Sequence, residues 1–577
     1  MVQSFDFDKL IYRKPYRTVT ARTIDTLTGI DTESDTSGKC FMICTSDGDE
    51  LPPADVPRAF FSRTFRGGDF AVWNIKYDSG SFLQMLPPPV LRELKDKGRV
   101  KHEGYAYKYI PHKFLSISHG KNRVKFWDVM GFYHTSLERA SRKYLNEGKD
   151  ELETKSFTAP YISKNYDRIL KYCIKDAVLT RRLGEHLLRS LDKLGLRPSS
   201  LYSVASVGFE YFKRESGIVD VWRYWEKYPE LLRYACASYK GGKFEVTARG
   251  SFTGHEYDIK SAYPYEVARL PDIRLSYVQH SKRYVSHADF GFLKCVITNT
   301  VAVPTPSGLK KKYLTYYPVG KHEAYLTMPE YEYLTARGVQ VDVRDGWYIT
   351  CKDTTPYYRD VVSELFKQKE RYKESEPLTS NLAKLILNSF YGKMVQVIEQ
   401  PDGSLKAGSG WNPIYGAYIT ARTRIKVCEV QHEYGKDCLA VHTDSVILTR
   451  PMDAKYLGKG IGMYEHKKSG TGIIIMSGIY EIADKTANRC YDVPDGFTWK
   501  KLLEGSGNAD TVELEERRVI SWIEAVHRDN YELINRFIQV PKKLYLNREY
   551  KRAWTKRTTA KALLTGLEHS APCFIWG

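Results

Sequence analysis

The sequence predicts a mixed α/β chain built of more than one domain, and three observations predict it. At 577 residues it is long enough for several cores. Its first 190 or so residues alternate strand-like apolar runs with helical patterning. A breaker-rich joint, Leu194-Gly195-Leu196-Arg197-Pro198-Ser199-Ser200, then leads into a second region that opens on a helical stretch. In chain order, 28–33, 40–45, 70–73 and 125–129 read as strands and 166–188 as a helix. No internal repeat or long low-complexity linker interrupts the pattern.

Composition narrows the function. Lys and Arg total 88 against 69 Asp and Glu, and the pI is about 9.2, which suits a polyanionic partner. Forty-three tyrosines supply flat faces for stacking on bases or sugars. The ten cysteines form no Cys-x-x-Cys pair, which excludes a zinc or iron–sulfur tail and fits reduced thiols. With no apolar run of 18 residues and no apolar N-terminal stretch, the expectation is a soluble protein that is neither secreted nor membrane-bound.

Six acids carry the chemistry. Asp31 and Glu33, in Gly29-Ile30-Asp31-Thr32-Glu33, fall on one side of a strand because side chains alternate with period two. Asn74 and Asp78 follow in Trp73-Asn74-Ile75-Lys76-Tyr77-Asp78. Tyr172 and Asp176 are one helical turn apart. Asp25 and Asp35 lie nearby but lack the Asp-x-Glu spacing after an apolar residue. Asp258 ends an apolar strand in Tyr257-Asp258-Ile259-Lys260-Ser261-Ala262-Tyr263-Pro264, and Asp444 sits in Val441-His442-Thr443-Asp444-Ser445-Val446. Between these two runs Lys384-Leu385-Ile386-Leu387-Asn388-Ser389-Phe390-Tyr391-Gly392, whose Lys384, Asn388 and Tyr391 share a helix face. Each acid alone would most simply be a cap, a turn or a solvated charge. Together, in this order, they lay out two phosphoryl-transfer sites.

The order Asp-x-Glu, Asn-x-x-x-Asp, Tyr-x-x-x-Asp, Asp-x-x-Ser-x-Tyr-Pro, Lys-x-x-x-Asn-Ser-x-Tyr-Gly and Thr-Asp-Ser resembles family-B DNA polymerases. Size and a Tyr239-Lys240-Gly241-Gly242 element make it similar to the small protein-primed phage, plasmid and mobile-element polymerases that carry a 3′–5′ proofreading exonuclease. The resemblance spans about residues 28–545. It implies a ribonuclease-H-like exonuclease domain at 1–195, then a right-hand polymerase at 196–577. Within the hand it implies a palm at about 230–350 and 410–510, fingers at about 355–400 and a thumb at about 511–577. The thumb expectation draws on 541–561, with eight Lys or Arg, one acid, and Tyr545, Tyr550 and Trp554 interleaved.

The resemblance also implies roles. Asp31, Glu33, Asp78 and Asp176 would hold two divalent metals for phosphodiester cleavage, with Tyr172 beside them and Lys149 (its rival is Lys155) at the scissile phosphate. Asn74, Ser136 and Leu137 would hold the single-stranded primer end. Asp258, the Ile259 carbonyl and Asp444 would hold two Mg²⁺, with Mn²⁺ as a substitute. Tyr263 would exclude a 2′-hydroxyl, making dNTPs the substrate. Lys384 and Lys369, with Arg371 close behind, would meet the triphosphate, and Asn388 and Tyr391 the nascent pair and sugar. Tyr239, Gly241, Gly242, Thr420, Arg424, Lys543 and Tyr545 would touch primer-template DNA. A monomer in the host cytoplasm, primed by a separate terminal protein, is implied; a nucleic-acid-primed enzyme is the nearest rival. Other classes to separate by primer extension are an inactive DNA-binding scaffold and a repair nuclease whose C-terminal half only grips DNA.

Three features depart from the family pattern. His442 stands where relatives carry a further Asp, which would shift metal preference toward Mn²⁺ if the ring met the metals. Ala262 replaces a Leu. The interval from Lys393 to Trp411 is short, with a turn-like segment at 400–405, which puts strand displacement and processivity in question.

Overall fold

The computed structural model describes residues 6–14, 23–61, 68–152, 157–299, 305–307, 314–400 and 402–576. The rival Lys155, the first five residues and Pro401 of the turn-like segment lie outside them.

The N-terminal region is an eight-stranded mixed sheet, in the order Glu50–Leu51, Cys40–Thr45, Thr28–Ser34, Gly68–Val72, Asn122–Asp128, Phe114–His119, Tyr105–Ile110, Arg99–His102. Its centre is parallel, Thr28–Ser34 beside Gly68–Val72 beside Asn122–Asp128, and its flanks are antiparallel. The helix Ala159–Lys193 lies across the centre and is longer than the expected 166–188. It buries Ile169, Cys173, Asp176, Thr180, Leu183, Leu187 and Leu191, the stripe of threes and fours that a 3.6-residue turn presents to one side. It approaches the sheet closely because Gly29 has no side chain: a Cβ there would stand 1.9 Å from the Ala177 carbonyl oxygen.

A second eight-stranded sheet is built from distant segments. Its order is Lys243–Val246, Cys438–Thr443, Ser445–Leu448, Ala248–Ile259, Tyr464–Met476, Ile479–Ile482, Lys485–Asn488, with Leu567–His569 also on Ala248–Ile259. The helix Pro413–Tyr434 packs against it, buried along most of its length. Two helices, Arg359–Arg371 and Pro377–Met394, pack together, and the second also packs on Val204–Glu215, where Phe212 and Phe390 stack 3.7 Å apart. The short interval before Trp411 holds the strands Val397–Glu399 and Leu405–Ala407.

Both ends of the chain cross the division expected at 195. Leu10 pairs in parallel with Leu405, and Tyr12 packs among Trp222, Trp225 and Trp411. At the other end, Thr511–Val519 and Phe537–Tyr545 form a two-stranded ribbon. The tip between them buries Ile520, Trp522, Ala525, Val526 and Ile534 in the same apolar cluster as Ile30, Ile43, Phe82, Leu91 and Phe126 of the N-terminal sheet region. Trp522 meets Tyr109 edge-on at 5.0 Å, and Arg92 reaches Asp529 at 3.1 Å. No helix among the described residues is long and apolar enough to cross a membrane.

Trp522 is fully buried, so Trp522→Ala should cost the unit containing the first sheet about 3–5 kcal/mol. Calorimetry should show an earlier unfolding transition for that unit; an unmoved transition would show that the tip adds nothing to its core.

Candidate active sites

The first cluster forms where Thr28–Ser34, the helix Ile75–Leu83 and the helix Ala159–Lys193 meet. Asp31 and Glu33 project from the central strand, Asp78 from the short helix and Asp176 from the buried stripe of the long one. Asn74 enters the short helix in a left-handed conformation, φ 76°. Asp128, unremarked in the sequence, fixes that entry: its carboxylate accepts from the backbone N–H groups of Asn74, Ile75 and Met130. Asp78 is only 2% exposed and accepts 2.9 Å from the Thr32 hydroxyl.

Crowded buried carboxylates cost energy when ionised. Burial first, then the Asp176 charge, push Asp31 up to about 8. Burial and the Asp31 charge raise both Glu33 and Asp78, and burial raises Asp176. One cation opposes this: Lys149 pairs with Asp176 and lies 4.9 Å over the Tyr172 ring. Burial works against the Lys149 charge, but Asp176 and Asp31 override it and raise its pKa. Beside Lys149 and Tyr172 a cleft of about 720 Å³ opens to solvent, with Arg142 and Arg168 on its wall.

These residues fit divalent cations. Ligand atoms of Asp31, Glu33 and Cys173 lie within 4.8 Å of one another, and the buried Oδ1 of Asp176 has no hydrogen-bond partner. The Cys173 thiol is not suited to be a ligand: it donates to the Asp31 carbonyl, and burial raises its pKa. Hard carboxylate oxygens fit Mg²⁺ or Mn²⁺ better.

Ser136 and Leu137 depart from the expected DNA contact. Ser136 is exposed, but its hydroxyl caps the helix Leu137–Leu145 by accepting from the Arg139 N–H, and the Leu137 side chain is 6% exposed, drawn into the core. An apolar residue just after an N-cap packs inward, which spacing alone does not reveal.

The second cluster lies on the second sheet. Asp258 is near the end of Ala248–Ile259, opposite Ser445. Asp444 occupies the tight turn between Cys438–Thr443 and Ser445–Leu448, where Thr443 is left-handed, φ 68°, and the Asp444 N–H donates to the His442 carbonyl. The Ile259 N–H donates to the Asp444 carbonyl at 2.8 Å, which ties the two acids' backbones together. Burial, then the Asp258 charge, push Asp444 up to about 7; burial raises Asp258. Lys467, another residue the sequence did not single out, stands 3.7 Å from the Asp258 carboxylate and also pairs with Glu465. Hard oxygens and mutual repulsion again fit divalent metals, with Lys467 offsetting part of the charge in their place.

Beyond Asp258, the left-handed Ser261 (φ 49°) turns the chain into the helix Ala262–Val267, which carries Tyr263. The Tyr263 ring packs 4.5 Å from Tyr391, and the Tyr391 hydroxyl meets that of Tyr239. Gly242 completes the group: a Cβ there would come within 2.6 Å of Thr443 and 2.8 Å of the Tyr263 hydroxyl. Three segments far apart in the chain therefore meet beside the two acids. Lys384 and Asn388 are exposed on the same helix as Tyr391, and the Lys384 charge reaches Asp444. Lys369 lies 3.0 Å from Glu370 and over the Phe366 ring, while Arg371 is exposed over Tyr372.

Two other candidates, Thr420 and Arg424, fall elsewhere than expected. Thr420 is buried, its hydroxyl donating to carbonyls of its own helix. Arg424 is 2% exposed and spends its guanidinium on the Lys240 and Gly241 carbonyls and on Glu330. Both are drawn inside instead of presenting a surface to DNA, and Arg424 supports the Tyr239–Gly242 loop from within. Lys543 and Tyr545 lie on the C-terminal ribbon, within the range expected for the thumb, with Lys543 paired to Glu513 at 2.8 Å and Tyr545 under Arg548. Much of the basic 541–561 run is likewise engaged internally, through Lys542–Glu516, Arg552–Glu245 and Arg557–Asp510.

The His442 ring is sandwiched between Phe244 and Tyr480, parallel to the latter at 4.7 Å. Burial, with Lys485, Lys551 and Arg489 nearby, pushes it down to about 3, so it stays neutral. Tyr480 in turn donates to the buried Glu256, which shares a strand face with Asp258.

The sequence model of a family described as DNA polymerase type B, organellar and viral, matches residues 164–407. A DNA polymerase of Acidianus bottle-shaped virus (isolate Italy/Pozzuoli) is 24% identical over 439 residues, covering 68% of this chain. The match spans 63% of that relative's length, just under two thirds. Phi29 DNA polymerase complexed with primer-template DNA superposes with a TM-score of 0.62 at 15% identity, covering 90% of this chain and 100% of that one. The same polymerase complexed with single-stranded DNA gives 0.56 at 17%, covering 79% and 86%. The chain is thus similar to family-B DNA polymerases of viral and phage type, and its mixed α/β multidomain fold is that of phi29 DNA polymerase.

The raised pKa values have a sign that can be tested. Asp31 has an ordinary value of 3.8 and a folded value of about 8. The folded state therefore binds the proton more tightly; the stability this confers is full below the ordinary value and is lost as pH rises through 8. A divalent cation offsets the loss, so Mg²⁺ should raise the melting temperature more at pH 8 than at pH 5. Asp31→Asn/Glu33→Gln should shrink that difference. Equal gains at both pH values would contradict the assignment.

Proposed function

We propose that this chain is a DNA-directed DNA polymerase with an attached 3′–5′ exonuclease, replicating a viral, plasmid or other mobile-element genome. The observation that carries the reading is the second cluster: two repelling acids tied backbone to backbone, with Tyr263, Tyr391, Tyr239 and Gly242 gathered beside them. The region 1–195 is read as the exonuclease, with residues 520–534 added to its core, and the remainder as the palm, fingers and thumb of the polymerase.

In the polymerase site Asp258, Asp444 and the Ile259 carbonyl would hold two Mg²⁺, and in the nuclease site Asp31, Glu33, Asp78 and Asp176 would hold two more, supplying Lewis-acid activation of the attacking oxygen and charge stabilisation of the leaving one. The protein's own side chains do the rest. Lys384 meets the triphosphate as a point charge, with Lys369 and Arg371 as the further cations of the neighbouring helix. Tyr263 lies beneath the sugar and excludes a 2′-hydroxyl, while Asn388 and Tyr391 frame the new pair. Arg424 holds the Tyr239–Gly242 loop, so its contribution to DNA binding is indirect. In the nuclease, Lys149 stabilises the scissile phosphate and keeps Asp176 in place, and the cleft beside Tyr172 admits the frayed primer end past Arg142 and Arg168. The partners of this reading are primer-template DNA and dNTPs, with a separate priming protein as the subgroup's source of the first hydroxyl.

Loss of an outer-shell partner costs a metal site about 10–100-fold, so loss of a ligand should cost more than ~100-fold. Asp258→Ala or Asp444→Ala should therefore stop dNTP incorporation on an annealed primer and leave primer degradation intact. Asp31→Ala/Glu33→Ala should do the converse. Loss of both activities in both variants would remove the two-site reading and favour a protein that only binds DNA. Tyr263→Val should raise ribonucleotide incorporation relative to dNTPs by more than about tenfold; unchanged discrimination in competition assays would take the sugar-excluding role away from this ring.

A further inference from the structure

We propose that Asn535, at the tip of the C-terminal ribbon, is a positioning residue for Asp78, more than 450 residues away in the chain. This rests on reading the first cluster as a metal site.

The tip is closed by two backbone bonds, Ile520 N–H to the Arg536 carbonyl and Asn535 N–H to the Ile520 carbonyl, both 2.9 Å. Asn535 is left-handed there, φ 61°, a conformation that Asn tolerates better than most residues. Its side chain is 1% exposed and enters the first sheet's core beside the helix that carries Asp78. Gly80 on that helix makes the room: a Cβ at this position would stand 2.2 Å from the Asn535 side-chain oxygen.

A chain of hydrogen bonds then runs to the acid. The Asn535 Nδ2 donates to the Ser81 hydroxyl oxygen at 3.0 Å, Ser81 and Thr32 hydroxyls lie 2.9 Å apart, and the Thr32 hydroxyl donates to Asp78 Oδ1 at 2.9 Å. Each hydroxyl has one hydrogen to give, and a carboxylate only accepts. Thr32 therefore gives its hydrogen to Asp78, Ser81 gives its own to Thr32, and the amide of Asn535 supplies the donor that Ser81 accepts. The acceptor-only carboxylate sets the direction of the relay, and the ribbon tip supplies its terminal donor. Without that donor Ser81 is free to rotate away, Thr32 loses its partner, and Asp78 loses the bond that orients it among three other acids.

The test reads metal binding directly. In an Asp258→Ala/Asp444→Ala background, which leaves the nuclease cluster intact, Mn²⁺ binding is titrated by electron paramagnetic resonance. Asn535→Gly keeps the left-handed backbone and removes the amide; it should weaken Mn²⁺ binding about tenfold. Asn535→Asp keeps the shape and replaces the donor with an acceptor; it should weaken binding at least as much. Ser81→Ala should match Asn535→Gly, and combining the two should add little. In the otherwise native chain, exonuclease activity of Asn535→Gly should recover at high Mn²⁺, while the metal dependence of primer extension stays unchanged. A folded Asn535→Gly with native Mn²⁺ affinity would overturn the proposal, as would equal weakening by a packing variant of the same tip such as Ile534→Val. If the native protein binds Mn²⁺ at this cluster, lost with Asp31→Asn, but degrades no DNA, the nuclease reading fails while the role of Asn535 is still measured.

Discussion

Mutual repulsion between buried carboxylates is the interaction on which the rest of this structure depends. Four acids converge in one sheet region and two in another, in surroundings too dry to hold their charges cheaply. Such groups stay together only where the surrounding fold over-determines them. Both regions show the means. Strands fix spacing at period two, left-handed residues (Asn74, Ser261, Thr443) turn the chain at the acids, and lysines (Lys149, Lys467) lie beside them. Neither cluster sits on an isolated loop; each is clamped by elements from well-separated parts of the chain.

The two regions solve the problem differently. In the first, the acids gather from the central strand, a short helix and the long helix, with a cleft opening beside their neighbours Lys149 and Tyr172. In the second, they stand at the end of a strand and in a hairpin turn, so backbone geometry sets their approach. Aromatic packing finishes the second site, with Tyr263 on Tyr391 above and Tyr480 on His442 behind. That packing accounts for His442: a neutral ring fills a slot between two aromatic faces, where a carboxylate would have no such contact.

How far the sequence could be read follows from what local pattern encodes. Asp31 with Glu33, Tyr172 with Asp176, and Lys384 with Asn388 and Tyr391 were legible because strand and helix periods put each set on one face. The buried stripe of the helix Ala159–Lys193 was legible for the same reason, although its ends were not. Period says nothing about partners. Thr420 and Arg424 were expected at the DNA, but both are buried, and Arg424 turns inward against a loop more than 180 residues earlier. Lys467 becomes a neighbour of Asp258, and Tyr480 of Glu256, only through strand order, and Asn535 reaches Ser81 only through a ribbon whose tip enters the first sheet's core. Basic residues in 541–561 looked free because their acidic partners are distant in sequence.

The docking of residues 520–534 into the first sheet has a consequence for the order in which the protein is made. A ribosome delivers the strands of that sheet first, yet Trp522, Val526 and Ile534, which finish their core, emerge only after the second sheet's strands from Lys243–Val246 to Lys485–Asn488. Until then the nascent N-terminal region keeps an open apolar face, a state prone to misassembly. Leu10 waits similarly for Leu405. Folding of the first region is therefore completed only once the strands of the second sheet up to Lys485–Asn488 have been synthesised, so a chain cut before residue 520 would lack a finished first core.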